Sequence, residues 1–104
     1  IESFAPRSTH WDELRDSIVD QPGAECAACG GKKNLEVHHI RDFSEHPHLE
    51  MDPDNLIILC RSSERFKNLP CHRLFGHYMN WRNINPNVER DASYFRRAVD
   101  NPRD

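Results

Sequence analysis

A chain of 104 residues, 37% hydrophobic and 30% charged, is sized for one small domain, expected to span 1–104, whose core is too thin to hold without extra cross-linking. No apolar run approaches the roughly 18 residues of a membrane span, and no secretory signal is visible. The net charge of -3 speaks against a nucleic-acid partner only as an average, because acids and bases are segregated along the chain.

Residues 1–7 lack periodicity, contain Pro6 and read as a loose lead-in. Thr9 is an N-cap candidate, Asp12 and Glu13 are first-turn carboxylates, and Trp11, Leu14 and Ile18 recur at helical spacing. A helix over about 10–20 follows, stopped by Pro22-Gly23, with Trp11 as a core anchor. In Cys26-Ala27-Ala28-Cys29 two thiols are spaced to reach one metal, and Gly30-Gly31 permits the tight turn after them. Leu35, Val37 and Ile40 mark a strand that carries the pair His38-His39.

Residues 41–54, with Pro47 and Pro53, read as a long polar loop with His46 and His48 at the surface, and from Asp42 to Asp54 there are five carboxylates and no Lys or Arg. Asn55 opens the apolar run Leu56-Ile57-Ile58-Leu59, a second strand ending at Cys60. Antiparallel pairing of the two strands brings Cys29 and Cys60 to one edge. Residues 61–70 form a polar insertion that returns the chain to Cys71, where a helix is predicted through Leu74, Phe75, Tyr78 and Met79 with His72 in its first turn. Gly76 weakens that helix by up to about 1 kcal/mol relative to Ala. Trp81 to Pro86 is a connector; Asn85-Pro86-Asn87 starts a last helix over about 87–99, whose Val88, Ala92, Phe95 and Val99 face the core.

From Cys60 to Val99 there are eight bases (Arg61, Arg65, Lys67, Arg73, Arg82, Arg90, Arg96 and Arg97) against Glu64, Glu89 and Asp91. That half suits a phosphate backbone, with Arg73 and Arg82 as candidate nucleic-acid contacts, although charges that merely solvate a small domain give the same pattern. Cys26, Cys29, Cys60 and Cys71 could form two disulfides in a secreted protein or one tetrathiolate zinc site in a reducing cytosol. The Cys-x2-Cys spacing, with strands and a helix between and after the thiols, favours zinc and an intracellular, cytoplasmic location. A closed site of this kind serves folding, which leaves the histidines for chemistry. Neighbouring residues of a strand point to opposite faces, so a local irregularity is expected where His38 meets His39. His77, five residues past His72, lies about 140° round a regular helix from it and shares a site only if the helix distorts near Gly76.

The sequence LEVHHI, then PDNLIILC, then CH opening a helix, with a cysteine pair in front, resembles the HNH family of metal-dependent nucleases over about 26–80. The helix before the first cysteine pair and the Asn80-Trp81 and Asn85 to Val88 stretches resemble bacterial members, which points to a bacterial or phage origin. The ten residues between Cys60 and Cys71 depart from the two-residue spacing of many members, a lengthening that loop entropy tolerates. The resemblance implies an α+β fold, a small zinc-stabilised ββα-metal core with flanking N- and C-terminal helices, and a DNA substrate. It implies further that His38 and His72 ligate a catalytic Mg2+, Mn2+ or other divalent cation, that His39 is the general base, and that Asn55 positions the loop or the base. Two other classes fit part of the pattern: a non-catalytic zinc module that binds nucleic acid, and a cysteine-stapled secreted domain.

Overall fold

A computed structural model describes residues 9–42 and 45–101; the lead-in expected over residues 1–7 lies outside them. Helix α1 (Trp11–Val19) is followed by strand β1 (Leu35–His39), strand β2 (Leu56–Cys60), a π-helical turn (His72–Gly76) and helix α2 (Val88–Asp100). Two short 3-10 turns, Pro47–Leu49 and Pro53–Asn55, punctuate the connection between the strands.

Helix α1 packs on β1 through Trp11, which is buried. The expected Thr9 cap is not used: the helix starts one residue later, and the His10 carbonyl accepts the Leu14 amide at 3.1 Å while no side chain caps the end. Asp12 and Glu13 in the first turn oppose the positive end of the helix dipole.

The strands pair antiparallel as expected, from Leu35 opposite Cys60 to His39 opposite Leu56. That register runs through His38 and His39 without a bulge, so the anticipated irregularity is absent. The loop between the strands is tied down by Asn55, which is 6% exposed. Its Oδ1 accepts the Arg41 amide at 2.8 Å, and its Nδ2 donates to the Arg41 and Leu49 carbonyls at 3.2 and 3.4 Å. One buried amide thus satisfies backbone groups that the irregular loop would otherwise bury unpaired.

The core is built around the thiols: Cys26, Cys29, Cys60 and Cys71 are fully buried together with Ala28, Leu59, Val88 and Ala92. Phe95 of α2 meets Phe66 and Phe75 with ring centroids 5.9 and 5.2 Å away, so the last helix covers the thiol cluster on the stripe its sequence predicts. The insertion 61–70 is an ordered turn. The Ser63 amide closes it by donating to the Leu69 carbonyl at 2.9 Å, the Ser63 hydroxyl accepts the Arg65 and Phe66 amides at 3.1 Å, and Lys67 and Asn68 adopt left-handed φ of 47° and 64°.

The helix predicted from Cys71 through Met79 is cut short. Its ordered part is wound wide, and Tyr78 and Met79 leave it in the left-handed region at φ 52° and 67°. Asn85, 1% exposed, fixes the turn that follows. Its side chain donates to the Phe75 carbonyl and to Asp91 at 2.8 Å, accepts from the Tyr78 hydroxyl at 2.7 Å and the Asn87 amide at 2.9 Å, and its own amide donates to the Gly76 carbonyl at 2.9 Å.

Candidate active site

The knuckle at Cys26 folds because Gly30 takes φ 79°, letting the Cys26 amide reach the Gly31 carbonyl at 2.8 Å and the Gly30 amide reach the Cys26 carbonyl at 2.9 Å. Its sulfurs are ringed by donors: the Cys29 amide lies 3.4 Å from Cys26 Sγ, and the Gly31 amide and Ser63 hydroxyl lie 3.3 and 3.2 Å from Cys29 Sγ. Antiparallel pairing delivers Cys60, whose Sγ lies 3.7 Å from that of Cys29, and the ordered insertion delivers Cys71. All four sulfurs lie within 4.8 Å of one another.

Electrostatics favours a cation at their centre. A hydrogen bond from Cys71 pulls the Cys26 thiol down to about 4. Burial, then the neighbouring Cys26 charge, pushes Cys60 up to about 12. The hydrogen bond to Cys26, then burial, pushes Cys71 far up. Cys26 forms its thiolate readily while Cys60 and Cys71 are held back, and a dry pocket holds four thiolates only around a metal ion. Arg65 and Arg96 donate to the knuckle carbonyls of Cys29 and Cys26 at 2.6 and 3.3 Å.

The second cluster joins His38, His72 and His77, whose nearest ring nitrogens also lie within 4.8 Å of one another. His38 and His72 come from β1 and from the residue after Cys71, with His38 Nδ1 3.1 Å from His72 Nε2. The π-helical winding brings His77 in. At i to i+5 closure, residues five apart return to the same face, so the wide turn removes the angular offset a regular helix imposes. Gly76 makes the approach possible, since a Cβ there would sit 2.8 Å from the His38 ring.

Outer partners fix the tautomers. His72 Nδ1 donates to Glu36 Oε1 at 2.9 Å, and His77 Nδ1 donates to the Asn83 carbonyl at 2.8 Å. With Nδ1 donating, each neutral imidazole keeps its lone pair on Nε2, as a metal ligand requires. Burial, then the nearby His72, His77 and His39, lowers His38 to about 3, and burial lowers His77. His38 is therefore neutral at ordinary pH, and its Nε2 is buried without a hydrogen-bond partner among the described residues. These observations fit a bound divalent cation.

His39 turns to the other side of the strand. Its ring lies against Trp11, centroids 4.5 Å apart, and Nε2 donates to the Glu50 carbonyl at 3.1 Å, which leaves the lone pair of the neutral ring on Nδ1. Asn55 does not reach it directly; it secures the loop whose Glu50 carbonyl holds it. A cavity of about 690 Å³ runs along the end of β1, and His38, His39, His72 and His77 all line it. Opposite faces of one strand thus serve one cavity.

Arg73 is exposed, its guanidinium 5.9 Å from the Trp81 ring centre. Arg82 lines a separate cavity with Arg41, His46 and Asn55, so the two candidate arginines do not share a surface depression. The His46 and His48 rings have centroids 6.0 Å apart, and His46 lines the cavity of Arg82. Sequence reasoning missed Glu36, although its place two residues before His38 puts it on the same strand face. It also missed Trp81, whose indole lies 5.2 and 4.7 Å from His72 and His77; no periodicity marks that residue.

The family model described as HNH endonuclease matches residues 26–62. No curated protein and no solved structure matches the chain.

Proposed function

We propose, with an HNH domain segment over residues 26–62 as the premise, that this protein is a divalent-metal-dependent endonuclease that hydrolyses DNA phosphodiester bonds. The observation that carries the reading is the pairing of a three-imidazole cluster with a differently held imidazole, His39, in one cavity. Cys26, Cys29, Cys60 and Cys71 would hold a structural zinc ion, a closed site with a folding role. His38, His72 and His77 would hold the catalytic ion. A divalent cation bound there supplies charge neutralisation at the phosphate and the leaving oxygen.

The protein's own groups do the rest. His39 Nδ1 accepts the proton of the attacking water, and the Glu50 carbonyl on Nε2 keeps the ring in the tautomer that can do so. Asn55 anchors the loop that supplies that carbonyl. Glu36 and the Asn83 carbonyl orient His72 and His77. A donor set of three nitrogens suits Mn2+ or another first-row transition ion better than Mg2+, which prefers oxygen.

The test is cleavage of supercoiled plasmid in the presence of Mn2+ or Mg2+. His39→Ala should lose roughly 10^2 to 10^4 in rate while binding Mn2+ as wild type does, whereas His38→Ala and His77→Ala should weaken Mn2+ binding itself. Equal cleavage by wild type and His39→Ala would remove the base and leave a non-catalytic nucleic-acid-binding zinc module.

A further inference from the structure

Trp81 is 55% exposed, yet its ring lies against two of the three clustered imidazoles, His72 and His77. An indole left open to water costs apolar hydration, and this one is held in place by strain: the two preceding left-handed residues, Tyr78 and Met79, are neither glycine nor asparagine. The turn they form is fixed by the Asn85 network and by the Met79 amide on the Arg73 carbonyl at 2.8 Å. Backbone strain of this kind persists where the surroundings over-determine it, and here its result is a rigid indole beside the imidazoles.

Beside that indole lies a pocket of about 210 Å³ lined by Glu36, Arg61, Pro70, His72, Arg73 and Trp81. Its two cations are exposed, and the described ion pairs engage Arg15, Arg65, Arg90 and Arg96, with neither Arg61 nor Arg73 among them. Its one carboxylate, Glu36, faces inward to His72. An exposed indole beside Arg61 and Arg73, both outside the described ion pairs and the latter with its guanidinium 5.9 Å over the indole, matches a nucleotide: a planar base with an attached phosphate.

Resting on the nuclease reading above, we infer that Trp81 is a stacking platform for one unstacked nucleobase of the substrate, with Arg61 and Arg73 on its phosphate. In an intact duplex both faces of a base are covered by its neighbours, so the platform serves a single strand or a locally opened one. Trp81 is thereby a specificity-determining residue that sets strand state rather than sequence, because every base has a π face.

The experiment measures binding without added divalent ion, so that it does not depend on cleavage. A fluorescein-labelled single-stranded DNA oligonucleotide, and the duplex of the same sequence, are titrated with zinc-loaded wild type, Trp81→Ala and Trp81→Phe, followed by anisotropy. Wild type should prefer the single strand. Trp81→Ala should weaken single-strand binding by roughly 5- to 100-fold and leave duplex binding nearly unchanged, and Trp81→Phe, which keeps a ring, should recover most of the loss. The tryptophan emission of wild type should be quenched by the single strand, since Trp11 is 9% exposed and Trp81 is the open indole. Unchanged single-strand affinity in Trp81→Ala, or an equal loss on strand and duplex, overturns the platform. Plasmid cleavage by the same preparations is scored apart: a wild type that cuts while Trp81→Ala binds the strand normally overturns the platform alone. Trp81-dependent strand binding by a protein that does not cut supports the platform and overturns the nuclease reading.

Discussion

Gly76 has no side chain because an imidazole occupies the place of one. A Cβ there would meet the His38 ring at 2.8, 3.0 and 3.1 Å, and His38 cannot retreat, being 3% exposed with His72 on its Nδ1. Gly76→Ala is therefore expected to destabilise by about 1 to 3 kcal/mol through overpacking, despite alanine's better helix propensity. It should also loosen Mn2+ binding; calorimetric metal titration alongside thermal unfolding checks both effects. At this scale much was legible in the sequence. The four cysteines, His38, His39, Asn55 and His72 stand at spacings whose chemistry is local, and the structure brings the four thiols into one cluster and His38 and His72 into another. Glu36 could have been found from strand alternation alone. His77 was legible only on condition of a distortion near Gly76, which the π-helical turn supplies, and Trp81 was not, because it owes its place to a backbone winding that side-chain identity does not announce.

Among the elements, the two strands and the outer helices follow directly from periodicity, and their ends differ from expectation by a residue or so. The segment from Cys71 to Asn87 does not. Its apolar spacing suggests a helix through Met79 before the connector, but Asn85 outcompetes the end of that helix by bonding Phe75, Gly76, Tyr78, Asn87 and Asp91 at once. A long-range buried network of this sort leaves no trace in a local window. Asn85→Ala strips partners from several buried groups, so a loss on the order of 3 kcal/mol is expected. The same change should release the turn that carries His77 and Trp81, lowering Mn2+ affinity; a variant with wild-type unfolding midpoint and metal affinity would show that the network is dispensable.

For the whole molecule the thiol cluster and the imidazole cluster are one assembly read from two sides. The hydrophobic core contains the four cysteines, and structural zinc contributes on the order of 10 kcal/mol or more in small domains of this kind. Stripping zinc with a strong chelator should therefore abolish the cooperative fold, and far-UV circular dichroism before and after zinc readdition reads the loss and its reversal. The cores of larger domains survive such treatment because they do not depend on a metal for their burial.

Cys71 and His72 are consecutive in the chain, one facing each cluster. Peptide geometry leaves no slack between them, so the imidazole is placed only once the thiolate is held. On the proposed reading the two metals would consequently be acquired in a fixed sequence in time: a newly made chain offered Mn2+ alone would have nowhere to put it, and the same chain given zinc first would take Mn2+ at once. Calorimetric Mn2+ titrations of zinc-free and zinc-loaded protein should differ in this way, and equal heats in both would mean that the imidazoles assemble unaided. Zinc supply, rather than synthesis of the polypeptide, would then set the moment at which the chain becomes competent.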